Sequence, residues 1–271
     1  LIHSEFFRNV ITLMSGTTVG QIVSLAIYLI LSRLYTPGDF GVFALFMSIL
    51  SITNITATAK YELAVMMPKE DREGLNLMGL SALISIVVSL FLFLLVLLFN
   101  QAFTRLLGNE LISPWLYVIP LSTLLNGFYQ GLNYWSNRKK RFRTMTVASL
   151  GQSLTNSSVN VGAGYLFAGP FGLIIGVVLG QITGFVTFLL NFLKHDREKL
   201  PTINQKEMVS LAREYYRFPK YNMLHGITNN FSGSLPVFIL TSTFSSATAG
   251  LYAFGFTMVF RPMSLVTTAF S

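Results

Sequence analysis

Residues 75–99 read LNLMGLSALISIVVSLFLFLLVLLF, a continuous apolar run without a charged side chain. At 1.5 Å per residue, a helix of this length crosses a hydrocarbon layer of ~30 Å. Working outward, apolar blocks of similar length recur at 10–31, 41–59, 112–134, 146–167, 170–193, 219–241 and 249–271. Charged residues are 11% of the chain and lie mostly between the blocks, against about a quarter in a soluble domain. The pattern predicts an all-α polytopic membrane bundle of eight spans. The chain begins at Leu1 without a cleavable signal pattern and stops inside its last block, so it reads as part of a longer protein. It has no cysteine, which excludes disulfides and thiol chemistry.

Charge alternates sharply from loop to loop. The N-terminal segment and the loops 60–74, 136–145 and 194–218 hold most of the basic residues, including Lys60, Arg72, Arg138, Lys139, Lys140, Arg141, Arg143, Lys194, Lys199 and Arg213. The opposite loops hold Arg33 and Arg105. Basic loops stay cytoplasmic, which predicts a cytoplasmic N-terminus. The net charge of +8 is then mainly a topology signal, with some attraction to anionic membrane lipid, and needs no nucleic acid.

Two features break the march of spans. Within 200–217, Met208, Leu211, Ala212 and Tyr215 fall on one helical face, opposite Lys206, Arg213 and Arg217. Such a helix either lies on the membrane surface or is a solvated linker. The second feature is an internal repeat. A shift of 250 − 41 = 209 residues places Gly41 on Gly250, EFFR (5–8) on EYYR (214–217), and LSRLYTPGDFGVFAL (31–45) on LTSTFSSATAGLYAF (240–254). Span 7 then copies span 1 and span 8 copies span 2, in the same orientation. Parallel repeats of this kind are a transporter architecture. The expected domains are a six-helix bundle over 1–199, a cytoplasmic linker over 200–218, and the first two helices of a second bundle over 219–271.

Polar residues recur at helical spacing inside the spans: Thr17, Gln21, Ser24 and Tyr28; Ser51, Asn54, Thr58 and Glu62; Asn126, Gln130 and Asn133; Ser149, Ser153, Asn156 and Asn160; Asn222, His225 and Asn229. Steps of three or four put each series on one face. Each face either bonds to a neighbouring helix or lines a shared wet cavity, where amides beside aromatic rings suit sugar hydroxyls. Gly172, Gly176, Gly180 and Gly184 instead make a smooth face for close helix packing.

Among ionisable residues, Lys60 and Glu62 fall near the cytoplasmic end of span 2, where they either reach the interface or face the substrate path. Arg261, followed by Pro262, is different. It falls roughly 18 Å into the last block, near the midplane, on a face with Thr257, Ser264 and Thr268. Pro262 removes an N–H from the ladder and predicts a kink. A cation at that depth is costly, so it either pairs with a buried carboxylate, for which Glu62 is the candidate, or faces a water-filled path and meets an anion.

Several stretches together resemble the polysaccharide-repeat flippases, a branch of the superfamily of multidrug, oligosaccharidyl-lipid and polysaccharide exporters. They are LSRLYTPGDFGVFAL (31–45), KYELAVMMP (60–68), GFYQGLNYWSNRKKRF (127–142), YYRFPKYN (215–222), LPVFIL (235–240) and AGLYAFGFTMVFRPMSL (249–265). The resemblance runs along essentially the whole chain. Members have 12 or 14 spans in two lobes, which implies that four to six are missing here. It implies a bacterial inner-membrane protein of O-antigen or exopolysaccharide biosynthesis. Its substrate would be an oligosaccharide on undecaprenyl diphosphate, flipped by alternating access through a cationic central cavity, with a polymerase or glycosyltransferases as possible partners. Arg261 matches the central arginine of that pattern, and Lys60 and Glu62 match its KYELA block. Guanidinium suits a diphosphate because it binds phosphate oxygens bidentately.

The rival within the same fold is a multidrug or cation exporter, which needs a deep carboxylate in the first bundle; the chain offers Glu62 alone. A membrane glycosyltransferase or acyltransferase would need an acidic metal site or a reactive His or Cys. A non-transporting scaffold would not need the polar stripes. No P-loop glycine pattern occurs. The expectation is a transporter rather than an enzyme, without a cofactor.

Overall fold

A computed structural model describes residues 27–270, with side chains over 27–260. Helix α1 is described over 27–34. It is followed by α2 (Pro37–Thr56), a 3-10 turn (Tyr61–Met66), α3 (Asp71–Leu107), α4 (Ser113–Leu116), α5 (Val118–Arg138), α6 (Phe142–Leu166), α7 (Phe171–Asp196), α8 (Gln205–Glu214), a π turn (Phe218–Met223), α9 (Leu224–Thr243) and α10 (Ser246–Phe270). No strand occurs among the described residues. The fold is an all-α membrane bundle.

Among the described residues, three helices are long and apolar enough to cross a membrane: Pro37–Thr56, Asp71–Leu107 and Phe171–Thr202, in which α7 continues through a 3-10 turn. A fourth expected span is a bent pair. Glu110–Leu116 and Val118–Arg138 meet at 45°, where Pro120 denies the Leu116 carbonyl its helical donor. The expected spans 146–167 and 219–241 correspond to α6, with 25 residues, and α9, with 20. Both are long enough, but their polar stripes lower their apolarity. The span expected at 10–31 lies largely outside the described residues. Helix α3 outlasts its predicted span, with a break at Phe99 (φ −120°, ψ 15°) where the apolar block ends. Its lipid-facing side shows Val87, Leu90, Phe91, Leu94 and Leu98 exposed.

The repeat is visible in the geometry. Helix α1 ends at residue 34 and α9 at Thr243, and α2 starts at Pro37 and α10 at Ser246; each pair differs by 209. The caps are copies too. The Thr36 hydroxyl accepts from the Asp39 N–H (3.2 Å), completing a capping box with Pro37 in the first turn. At the corresponding positions the Ser245 hydroxyl accepts from the Thr248 N–H (3.2 Å). A short polar side chain at the N-cap satisfies a donor that the helix leaves open.

The two copies cross at their first turns. A Cβ on Gly41 would fall on the Ser246 carbonyl, and a Cβ on Gly250 would fall on the Pro37 carbonyl, with the Gly41 nitrogen 2.7 Å away. Position 246 corresponds to 37, so the contacts are reciprocal, as about a local two-fold axis. Nearby, Gly108, at φ +64°, ends α3 against Ser242, and Asn109 donates to the Ser246 hydroxyl (2.7 Å).

The glycine face of α7 packs as expected. Gly176 meets the side chains of Asn156 and Asn160, and Gly180 lies against the Gln152 carbonyl, so α6 and α7 touch backbone to backbone.

The basic end of the bundle is a knot of ion pairs. Asp71 pairs with Arg138 (3.3 Å), Lys139 and Lys199 (3.3 Å). Asp196, 2% exposed, accepts from Arg141 (2.6 Å) and from the Trp135 indole (3.0 Å), with Lys199 at 3.4 Å. Arg138 also donates to the carbonyls of Val65 (3.1 Å), Pro68 (2.7 Å) and Lys69 (3.2 Å). Helix α8 docks beside this knot. Leu211 is buried, Met208 reaches Gly79 of α3, and Tyr61 donates to the Ala212 carbonyl (2.9 Å). The apolar face of α8 therefore packs on protein, which decides against a helix lying on the membrane through that face. Burial pushes the Tyr61 phenol up, so it remains a donor at neutral pH.

Candidate functional site

A cavity of about 280 Å³ lies between the two copies of the hairpin, walled by α1, α2, α6, α7, α9 and α10. Its polar wall consists of Ser48, Asn156, Ser157, Asn160 and Thr257. Ser48, Ser157 and Asn160 are buried. Its aromatic wall includes Tyr28, Phe40 and Phe254, with ring centroids of Tyr28 and Phe254 5.8 Å apart and of Phe40 and Phe254 5.5 Å apart. Tyr252 and Phe256 extend that wall along α10 and stack at 6.0 Å. The cavity combines amide and hydroxyl groups with flat ring faces, a surface suited to polyhydroxylated ligands.

The polar wall is held by its neighbours. Tyr35, at the end of α1, donates to the Asn160 carbonyl (2.7 Å). Burial, with Asp39 nearby, pushes its phenol up to about 12, so it stays protonated as a donor. With its amide oriented by its neighbours, the Asn160 nitrogen donates to the Gly172 carbonyl (2.9 Å). The glycines of α7 thus give Asn156 and Asn160 room to sit between α7 and the cavity. The Thr257 hydroxyl bonds back to the Ala253 carbonyl (2.7 Å).

Of the residues singled out in the sequence, Tyr28, Asn156, Asn160 and Thr257 line this cavity. Arg261 follows Thr257 by one turn on α10, which remains helical through Pro262 to Phe270; the arginine side chain lies outside the described residues. Gln21 also lies outside them. Lys60 and Glu62 sit at the far end of α2. Glu62 is 3% exposed, accepts from the Thr58 hydroxyl and pairs with Lys60 at 3.5 Å. Ala59 and Lys60 adopt left-handed backbone conformations there, with φ 48° and 63°. Asn126, Gln130 and Asn133 lie half-buried on α5, away from the cavity lining. Asn229 is exposed, whereas its neighbour Asn230 donates to the Ser51 carbonyl (3.0 Å). The face of α9 turned inward is therefore 226, 230, 233 and 237, not 222, 225 and 229. Gly226 packs on Ile55, and Gly233 and Val237 line the cavity.

Sequence reasoning did not select Ser48, Ser157 or the phenylalanines of the aromatic wall, whereas Tyr28 and Asn160 stood in its polar stripes. Ser48 carried no periodic signal, and the rings Tyr28 and Phe254 meet only because the two hairpins cross. Asn54 adds a further polar group on α2: its Oδ1 is buried and accepts no hydrogen bond among the described residues.

No curated protein and no solved structure matches this chain. A family model does, over residues 30–271, which take in α2 to α10, most of the cavity lining and the basic end of the bundle. The chain belongs to this family, whose members are described as polysaccharide biosynthesis proteins.

Proposed function

We propose that the protein flips a lipid-linked oligosaccharide across the bacterial inner membrane during surface polysaccharide biosynthesis. The observation that carries this reading is the position of the cavity. It lies between two hairpins related by the internal repeat, where parallel-repeat transporters bind their substrates, and it offers amides and rings rather than a paired acid and base. The sugar is held by the Asn156 and Asn160 face and the aromatic wall. The diphosphate meets Arg261, one turn deeper along α10, while the lipid tail stays in the bilayer. The two bundles rock about this central cavity to give alternating access. The basic end faces the cytoplasm, and the protein is a transporter rather than an enzyme. A polymerase or glycosyltransferases act on the same lipid-linked unit before or after it.

The test is flipping of undecaprenyl-diphosphate-linked oligosaccharide by the full-length protein in reconstituted vesicles. Arg261→Ala is expected to abolish it and Arg261→Lys to retain part, since lysine keeps the charge but loses the bidentate geometry. Unchanged flipping in the alanine variant overturns the role given to Arg261.

A further inference from the structure

The cations at the basic end fall into two groups. Arg138, Lys139, Arg141 and Lys199 are committed to Asp71 and Asp196. Arg143 and Lys194 are exposed, and neither pairs with a carboxylate among the described residues. These two line one open pocket of about 470 Å³ between the start of α6 and the end of α7, together with Thr144, Thr187, Asn191, Val147 and Leu190. Asn191 is oriented by Arg141, which donates to its Oδ1 (3.3 Å), leaving its amide N–H groups as donors. Val147 and Leu190 are 51% and 62% exposed and continue the pocket one turn along α6 and α7 toward the lipid-facing surface.

We propose that this pocket binds the phosphate of an anionic phospholipid headgroup. A phosphate between a guanidinium and an ammonium neutralises both and takes hydrogen bonds from the Asn191 amide and the Thr144 hydroxyl. Its glycerol and first acyl carbons rest on Val147 and Leu190. A basic pocket between two membrane helices, at the end of the bundle that carries the positive charge, is where anionic lipid is attracted most strongly. The apolar side of the pocket selects a lipid over a soluble anion. The pocket is separate from the cavity between the hairpins, so the inference does not rest on the transport reading.

The experiment is native mass spectrometry of the full-length protein in neutral detergent, titrated with phosphatidylglycerol or with phosphatidylcholine, and with inorganic phosphate as competitor. Wild type is expected to retain phosphatidylglycerol preferentially. The double variant Arg143→Gln/Lys194→Gln should bind it roughly tenfold more weakly, with phosphatidylcholine unchanged. Lys140→Gln removes an exposed cation of the same loop that does not line the pocket, and should bind as wild type. Equal binding by wild type and the double variant overturns the proposal. So does an equal loss in Lys140→Gln, which indicates diffuse surface charge, or displacement by millimolar phosphate, which indicates a soluble-anion site. The thermal shift on adding phosphatidylglycerol gives a second readout on folded protein: it should be present in wild type and Lys140→Gln and lost in the double variant.

Discussion

Gly41 of α2 and Gly250 of α10 hold the same place in two copies of one hairpin, and each lies against the first residue of the other's helix. The atoms that a Cβ would strike are backbone carbonyls, which cannot rotate away as a side chain can. Gly41→Val and Gly250→Val should therefore each destabilise the protein by about 1–3 kcal/mol, the usual range for overpacking. Gly255→Ala on the same helix, whose added Cβ meets nothing within 4 Å among the described residues, should be neutral or slightly stabilising. Thermal unfolding of the purified protein checks this, and a wild-type midpoint for both valine variants rules out a tight crossing.

The same crossing yields a lock. Asn109 Nδ2 and Ser246 Oγ are 2.7 Å apart, joining the end of α3 to the start of α10. These 271 residues contain no cysteine, so Asn109→Cys/Ser246→Cys introduces the one possible pair among them. Oxidation should cross-link it, shown by a mobility shift, and should halt flipping until a reductant is added. If the cross-linked protein flips at the wild-type rate, the two bundles do not need to separate there.

These relationships were legible in unequal measure. The repeat showed in the sequence because turns and caps constrain residue type: Thr36 and Ser245 both cap, and Gly41 and Gly250 both admit a neighbouring backbone. The faces of the polar stripes were legible because helical period places side chains. What each face meets was not. Asn156 and Asn160 reach the cavity, whereas Asn126, Gln130 and Asn133 do not line it, although both stripes have the same spacing. On α9 the neighbour that decides the matter is α2, through Ile55 and Ser51, and it turned the inward face from Asn229 to Asn230. The basic loops stood out in the sequence, but their pairing with Asp71 and Asp196 depends on contacts between residues distant in the chain.

That pairing carries a prediction of its own. Asp196→Ala leaves Arg141, itself mostly buried, without its counter-charge, and should cost about 3 kcal/mol or more. Trp135→Phe removes the hydrogen bond to the same carboxylate and also shrinks a fully buried side chain, and should cost about 2 kcal/mol or more. If the basic residues served membrane topology alone, Asp196→Ala would leave stability untouched. Denaturation of the purified protein with each substitution separates the two cases.

Helix α8 provides the last test, because its amphipathic pattern admits two destinations. Leu211 is 4% exposed and belongs to the core that holds Leu75, Trp135 and Phe192. Leu211→Ala should therefore lose about 2–5 kcal/mol, as buried leucines do, whether or not lipid is present. Leu211→Glu should free α8 from α3 and expose the 200–217 connection to protease. A helix lying on the membrane through that face would behave differently: Leu211→Glu would weaken vesicle association and leave stability in detergent unchanged. Limited proteolysis in detergent and in vesicles distinguishes the outcomes. The packing of Met208 on Gly79 and the bond from Tyr61 to Ala212 predict the first.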